Sequence, residues 1–163
     1  EDFAEKNNVN VNASQIRNRK TEIFSSYIIK NKQKLRKSVY EIINFAKKNN
    51  IKLSLSTSTT INNVNAVFES LSNQIVKEDF DFIGNKSLVK YEKPNPEIYK
   101  VTLEHLNIEA SDCIAIEDTE ESSQSAINAG ISCIGFPGDF HSDDNFEMCI
   151  KKMNVLDLSL IHI

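Results

Sequence analysis

The sequence has 163 residues, enough for one domain with its own apolar core, and carries a net charge of −4. Its basic residues are scattered except at Arg17, Arg19 and Lys20, so it offers no broad surface for nucleic acid or another polyanion. No apolar run approaches the roughly 20 residues a membrane helix needs, and its three widely spaced cysteines fit neither a disulfide framework nor metal-ligand spacing.

Residues 1–12 are polar and Asn-rich and read as loop or a frayed helix end. From Ala13 to Ile29 the residues Ile16, Lys20, Ile23, Phe24, Tyr27 and Ile28 recur at helical intervals, with Ser14 as a suitable N-cap. Residues 30–37 are basic and polar, as expected of a linker. Ser38 to Lys48 is a second amphipathic helix, and Asn49-Asn50 ends it because Asn tolerates the left-handed conformation of a helix terminus. Ile51 to Ser56 alternates like a strand and runs into the hydroxyl series Thr57-Ser58-Thr59-Thr60. Asn62 to Leu71 reads as helix, Phe80 to Gly84 as strand, and Pro94 to Leu106 as helix. Cys113 to Glu117 is a strand, Thr119 to Ala129 a helix closed by Gly130, and Ile131 to Phe136 a strand. An acidic loop, Asp139 to Asn145, precedes a short helix at Phe146–Met153 and a final strand or tail from Val155 to Ile163. Strands alternating with helices from residue 38 onward predict an α/β fold, with a Rossmann-like parallel sheet and helices on both faces.

In such sheets ligands bind outside the C-terminal ends of the strands. Thr57 stands just past one strand end, where a hydroxyl can donate to a phosphoryl oxygen and neighbouring N–H groups can form an anion nest. Turn and cap chemistry is the ordinary alternative for a run of Ser and Thr. Lys93 precedes Pro94, which biases it to an extended conformation and places a proline in the first turn of a helix. A lysine so held can neutralise phosphate or carboxylate as a point charge, although a solvated loop lysine has the same local sequence. Glu117-Asp118 ends an apolar strand. Two hard oxygen donors there suit Mg²⁺, which binds one or two carboxylates together with waters and phosphate oxygens. Capping of the next helix by Asp118 or Thr119 is the competing reading. His141 and the acids Asp139, Asp143 and Asp144 read as a solvated loop.

The ordered set of strand-end hydroxyl, Lys-Pro and strand-end acid pair resembles the haloacid dehalogenase superfamily of phosphohydrolases. Lys93-Pro-Asn-Pro-Glu-Ile-Tyr99 and Ile116-Glu-Asp-Thr119 look like its β-phosphoglucomutase-like group. Arg17-Asn-Arg-Lys-Thr-Glu-Ile-Phe24 and Asp143-Asp-Asn-Phe146 are similar to the CbbY subgroup within it. The resemblance implies an aspartyl-phosphate mechanism, with Thr57 and Lys93 stabilising the transferred phosphoryl group, Glu117 and Asp118 holding Mg²⁺, and Lys20, Arg19 and Ser58 meeting the substrate. It implies a small phosphosugar, with xylulose-1,5-bisphosphate as the subgroup's substrate. A phosphosugar mutase and a non-catalytic phosphate-ligand or partner-binding protein remain alternatives.

The superfamily's Asp-x-Asp nucleophile motif has no counterpart here, since Asp79-Phe-Asp81 has the spacing in the wrong place. The expected organisation is the C-terminal part of a helical cap at 1–30, a hinge at 31–37, and a core at 38–163 lacking its first strand. The strand ending at Ser56 and the strand Cys113–Glu117 are then expected to flank an open slot, and the chain alone to be inactive. A monomer in the cytoplasm, or in a plastid stroma, completes the expectation.

Overall fold

Apolar periodicity and turn residues place the regular elements close to where they are expected in the computed structural model, which describes residues 12–157 without the side chains of Ala13 and Arg17. Helix α1 spans Ala13–Asn31 and α2 spans Val39–Lys48. There follow β1 (Ser54–Ser56), α3 (Ile61–Ser70), β2 (Phe82–Gly84) and α4 (Glu97–Leu106). Then come β3 (Ile114–Glu117), α5 (Glu120–Asn128), β4 (Ser132–Gly135) and β5 (Lys151–Lys152). Asn50 takes the left-handed conformation past α2 (φ 54°) that its side chain tolerates. Gly130 does the same past α5, at φ 86°.

All strand pairs are parallel, and they fall into two sheets. β1 pairs with β2 in the register Leu55 to Ile83, while β3 pairs with β4 (Ala115 to Cys133) and β4 with β5 (Ile134 to Lys151). Among the described residues no ladder joins β1 to β3, so each keeps one unpaired edge. That is the interrupted sheet expected of a core without its first strand. On β3, Ile114 and Ile116 remain 42% and 38% exposed, unusual for apolar residues on a core strand. Ser54 Oγ on β1 is buried without a hydrogen-bond partner.

Helix α4 ties the two sheets together. Ile98 and Tyr99 are buried with Ala115 of β3 and Cys133 of β4, while Ile98 also lies against Gly84 of β2. Thr102 Oγ1, on the same helix, shares a hydrogen bond of 2.8 Å with Ser56 Oγ at the end of β1. A second core, Ile43, Val64, Phe68, Leu71 and Ile75, backs β1 and β2. A third, Ile134, Phe136, Met153 and Leu156, backs β4 and takes in Val39 and Ile42 of α2.

Several expectations need correction. The N-cap of α1 is Asn12, whose Oδ1 accepts from Gln15 N at 3.1 Å, rather than Ser14. The apolar stripe of α1 is largely uncovered: Ile16, Ile23, Phe24 and Tyr27 are exposed and only Ile28 is buried, although α1 packs along α3. Pro94 does not open α4. Pro96 confines Asn95 to extended backbone, and Asn95 Oδ1 accepts from Glu97 N at 3.0 Å, so the helix starts after Pro96. No helix forms at 146–153. Ile150 N and Met153 N donate to Cys133 O and Gly135 O of β4, drawing this segment into the sheet edge. Residues 1–11 and 158–163, expected as loop and as the end of a strand or tail, lie outside the described residues.

Candidate active site

The polar groups gather at the C-terminal ends of β1 and β3, on the two sides of the interruption. After β1 the chain makes one more bond to β2, from Thr57 N to Gly84 O at 3.1 Å. Thr59 N then donates to Thr57 Oγ1 at 3.2 Å, a turn closed by a threonine side chain. The Thr57 hydroxyl therefore acts as acceptor within the loop, and its own proton has no acceptor among the described residues. Thr60 caps α3, with Oγ1 accepting from Asn63 N at 3.4 Å. The ordinary turn-and-cap role of this run is thus real: Thr57 closes the turn and Thr60 caps the helix. A chain of side-chain bonds reaches the loop from α1: Ser25 Oγ donates to Asn63 Oδ1 at 3.1 Å, and Asn63 Nδ2 to Thr59 Oγ1 at 2.8 Å.

Lys93 bridges the interruption. Its peptide bond to Pro94 is cis. Its backbone N–H points at Ser58 Oγ across 3.5 Å, while its Nζ forms an ion pair of 2.5 Å with Glu117 Oε1. Both side chains of the pair are buried, 7% and 11% exposed. The loop is held from α5, where the fully buried Ser125 donates to Asn95 O at 2.7 Å. Tyr99, which the sequence reading left without a role, also donates its hydroxyl to Glu117 Oε1. Its ring centroid lies 5.1 Å from Lys93 Nζ, within range of a cation–π attraction. Burial, and then the neighbouring Glu117 carboxylate, push the Tyr99 hydroxyl far above its ordinary range, so it stays protonated and donates.

Glu117 and Asp118 are adjacent but differently placed. Glu117 Oε1 takes both donors, and Oε2 has no partner among the described residues. Asp118 is exposed and makes no hydrogen bond or ion pair there. Thr119, not Asp118, caps α5 by accepting from Ser122 N at 3.2 Å. Asp118 is thereby left free for other work. These two carboxylates are the hard donors that Mg²⁺ accepts. Among the described residues no group of three or more His, Cys, Asp or Glu converges, so the pair supplies part of a coordination shell rather than a closed cage.

Arg19 and Lys20 are not brought to this cluster by any bond of their own. Arg19 pairs with its helix neighbour Glu22 at 3.2 Å, both exposed, and Lys20 is exposed without a partner among the described residues. The acidic loop is more bonded than expected. Asp144 Oδ2 accepts from Glu120 N at the start of α5 and faces His141 Nδ1, each at 3.1 Å. Asp79 and Asp81 serve structure: Asp79 meets Lys47 and Val76 N, and Asp81 Oδ2 accepts from Leu53 N at 2.8 Å. Both precede β2, at the end of that strand opposite the hydroxyl loop.

The parallel α/β sheet thus carries a hydroxyl loop, a bridging lysine and an acid pair at its strand ends. The chain belongs to the haloacid dehalogenase-like hydrolase family, which it matches over residues 1–136, and within it is similar to CbbY and β-phosphoglucomutase proteins. It is 30% identical over 133 residues to protein CbbY of Cereibacter sphaeroides, covering 82% of this chain and 58% of that protein. It is 32% identical over 120 residues to the phosphorylated carbohydrates phosphatase of Thermotoga maritima, covering 74% and 52%. The crystal structure of CbbY from Rhodobacter sphaeroides in complex with phosphate superposes with a TM-score of 0.83 at 28% identity, over 89% of this chain and 64% of that one. The chain spans about half the length of the curated relatives it matches.

Proposed function

We infer that the protein is a Mg²⁺-dependent phosphatase of small sugar phosphates. The carrying observation is Lys93, which links the hydroxyl loop after β1 to the acid pair after β3. In this reading the Thr57 hydroxyl and Lys93 hold the phosphoryl oxygens and offset the negative charge of the transition state, work that is mainly electrostatic. Ser58 adds a further hydroxyl. Glu117 Oε2 and Asp118 would hold Mg²⁺, whose contribution is to draw charge from the phosphoryl oxygens. Arg19 and Lys20 would meet the far end of the substrate only if α1 carries them over the strand ends. The nucleophile of the family's aspartyl-phosphate route is not among these 163 residues, because the one Asp-x-Asp present, Asp79-Phe-Asp81, precedes β2 at the end opposite the site.

A xylulose-1,5-bisphosphate complex of a CbbY neighbour favours that substrate class. A β-phosphoglucomutase relative in Bacillus subtilis, 27% identical, keeps a mutase as the second reading. The full gene product is expected to release inorganic phosphate from xylulose-1,5-bisphosphate with Mg²⁺ and to stop with EDTA, whereas the 163-residue chain alone releases none. Conversion of glucose 1-phosphate to glucose 6-phosphate without phosphate release would select the mutase. Phosphate-ligand binding with no turnover of either substrate would select the non-catalytic binder.

A further inference from the structure

We propose that Tyr99 is a positioning residue for the metal-binding carboxylate, dividing the labour of the two oxygens of Glu117. This rests on the reading of Glu117 and Asp118 as metal donors. A carboxylate on a core strand has two rotationally equivalent oxygens, and a lysine alone can bridge both. Here two donors from separate places meet on one oxygen. Lys93 Nζ arrives from the loop before α4, and Tyr99 O–H from the first turn of α4 itself. Tyr99 is held rigidly, 7% exposed among Ile98, Ala115, Ala126 and Cys133, so its hydroxyl is a fixed point. With Oε1 occupied twice, Oε2 is the oxygen left without a partner among the described residues.

The tyrosine ring has a second effect. Its centroid is 5.1 Å from Lys93 Nζ, so the same side chain that donates to Glu117 also steadies the cation opposite it. Outer groups that hydrogen-bond a ligating side chain typically tune metal affinity by about 10–100-fold. A phenylalanine at this position would keep the ring and the packing and lose only the hydroxyl. Glu117 could then rotate and chelate Lys93 with both oxygens, withdrawing the free one.

The experiment measures Mn²⁺ affinity by calorimetry for the full gene product and its Tyr99→Phe variant, with the thermal midpoint of each metal-free protein. Positioning predicts a Kd for Mn²⁺ raised about 10-fold or more, with little change in the metal-free midpoint. An increase smaller than about 3-fold, against the roughly 10-fold floor expected of such a partner, would overturn the proposal. So would a lowered midpoint with affinity unchanged, which is the signature of a packing role alone. A wild-type protein that binds no Mn²⁺ would instead overturn the metal reading beneath it, and the role of Tyr99 with it.

Discussion

The two half-sheets end in opposite chemistry. β1 and β2 run out into neutral groups: the hydroxyls of Thr57 and Ser58 and the carbonyl of Gly84. β3 runs out into two carboxylates. The acids on the β1–β2 side, Asp79 and Asp81, are tied to Lys47 and to the backbone N–H groups of Val76 and Leu53. On the β3 side Glu117 Oε2, unpartnered among the described residues, and the Asp118 carboxylate stand at the C-terminal end of the strand, whereas Asp79 and Asp81 precede β2. A phosphoryl dianion placed between the halves would meet hydroxyl donors on one side without like-charge repulsion, and on the other would need a cation to approach at all. Lys93 stands between them, and its pairing with Glu117 shows which side claims the charge first.

Removing that lysine should give the largest effect. In the full gene product Lys93→Met is expected to lower kcat by about 10²–10³-fold, the range for losing one preorganised electrostatic contact. It should also cost about 3–5 kcal/mol of stability, because the largely buried Glu117 charge loses its cation and keeps only the Tyr99 hydroxyl. Initial rates and denaturant melts check the two together. Adding Glu117→Gln to Lys93→Met should recover much of the stability and none of the activity. Unchanged stability in the single variant would mean that the ion pair does not hold the halves together.

The halves can also be compared through matched glycines, since β2 ends at Gly84 and β4 at Gly135. A Cβ on Gly135 would lie 2.4 Å from Cδ1, 2.7 Å from Cγ and 3.1 Å from Cβ of Phe146, so the whole buried ring would have to move. Gly135→Ala should therefore cost about 1–3 kcal/mol, as overpacking does. A Cβ on Gly84 would lie 2.9 Å from Ile98 Cδ1, a single atom at the far end of a side chain rather than a ring face, and Gly84→Ala should cost less. Equal losses in thermal melts would remove this asymmetry between the halves.

The alternation of elements was legible because β-branched strands and capped helices carry their own periodicities, and the strand-end residues followed from it. Thr57 and Glu117 were visible as polar residues at the ends of strands, and Lys93 as the lysine before Pro94. Tyr99 was not visible in that way. A tyrosine at a buried helical position satisfies the hydrophobic pattern, and only the fold reveals that its hydroxyl meets a carboxylate 18 residues further on. The segment 146–153 misled for a related reason. Its apolar residues suit a helix locally, but the unpaired edge of β4 offered hydrogen bonds that a local pattern does not register. Asp144 read as solvent-exposed because its partner, Glu120 N, lies 24 residues away.

The smallest expected effect belongs to the acid that serves the neutral half. Hydrogen bonds from Lys47, and then from Val76 N, hold the Asp79 carboxyl below the usual carboxylate range. A group whose folded pKa is depressed adds stability above its unfolded value, about 3.9 for Asp, and loses it as the pH falls through the folded one. Lys47 is half exposed, so solvent screens the pair and its contribution is about 0.2–1 kcal/mol. Asp79→Asn should therefore lower the thermal midpoint slightly at pH 7, with the gap to wild type closing as the pH drops below about 4. The carboxamide oxygen of the variant would still accept from Val76 N, so the turn before β2 survives. If the gap persists at a pH well below the unfolded value, the carboxylate acts through geometry rather than charge. The neutral half would then owe nothing to its acids electrostatically, and the contrast with Glu117 and Asp118 would be sharper still.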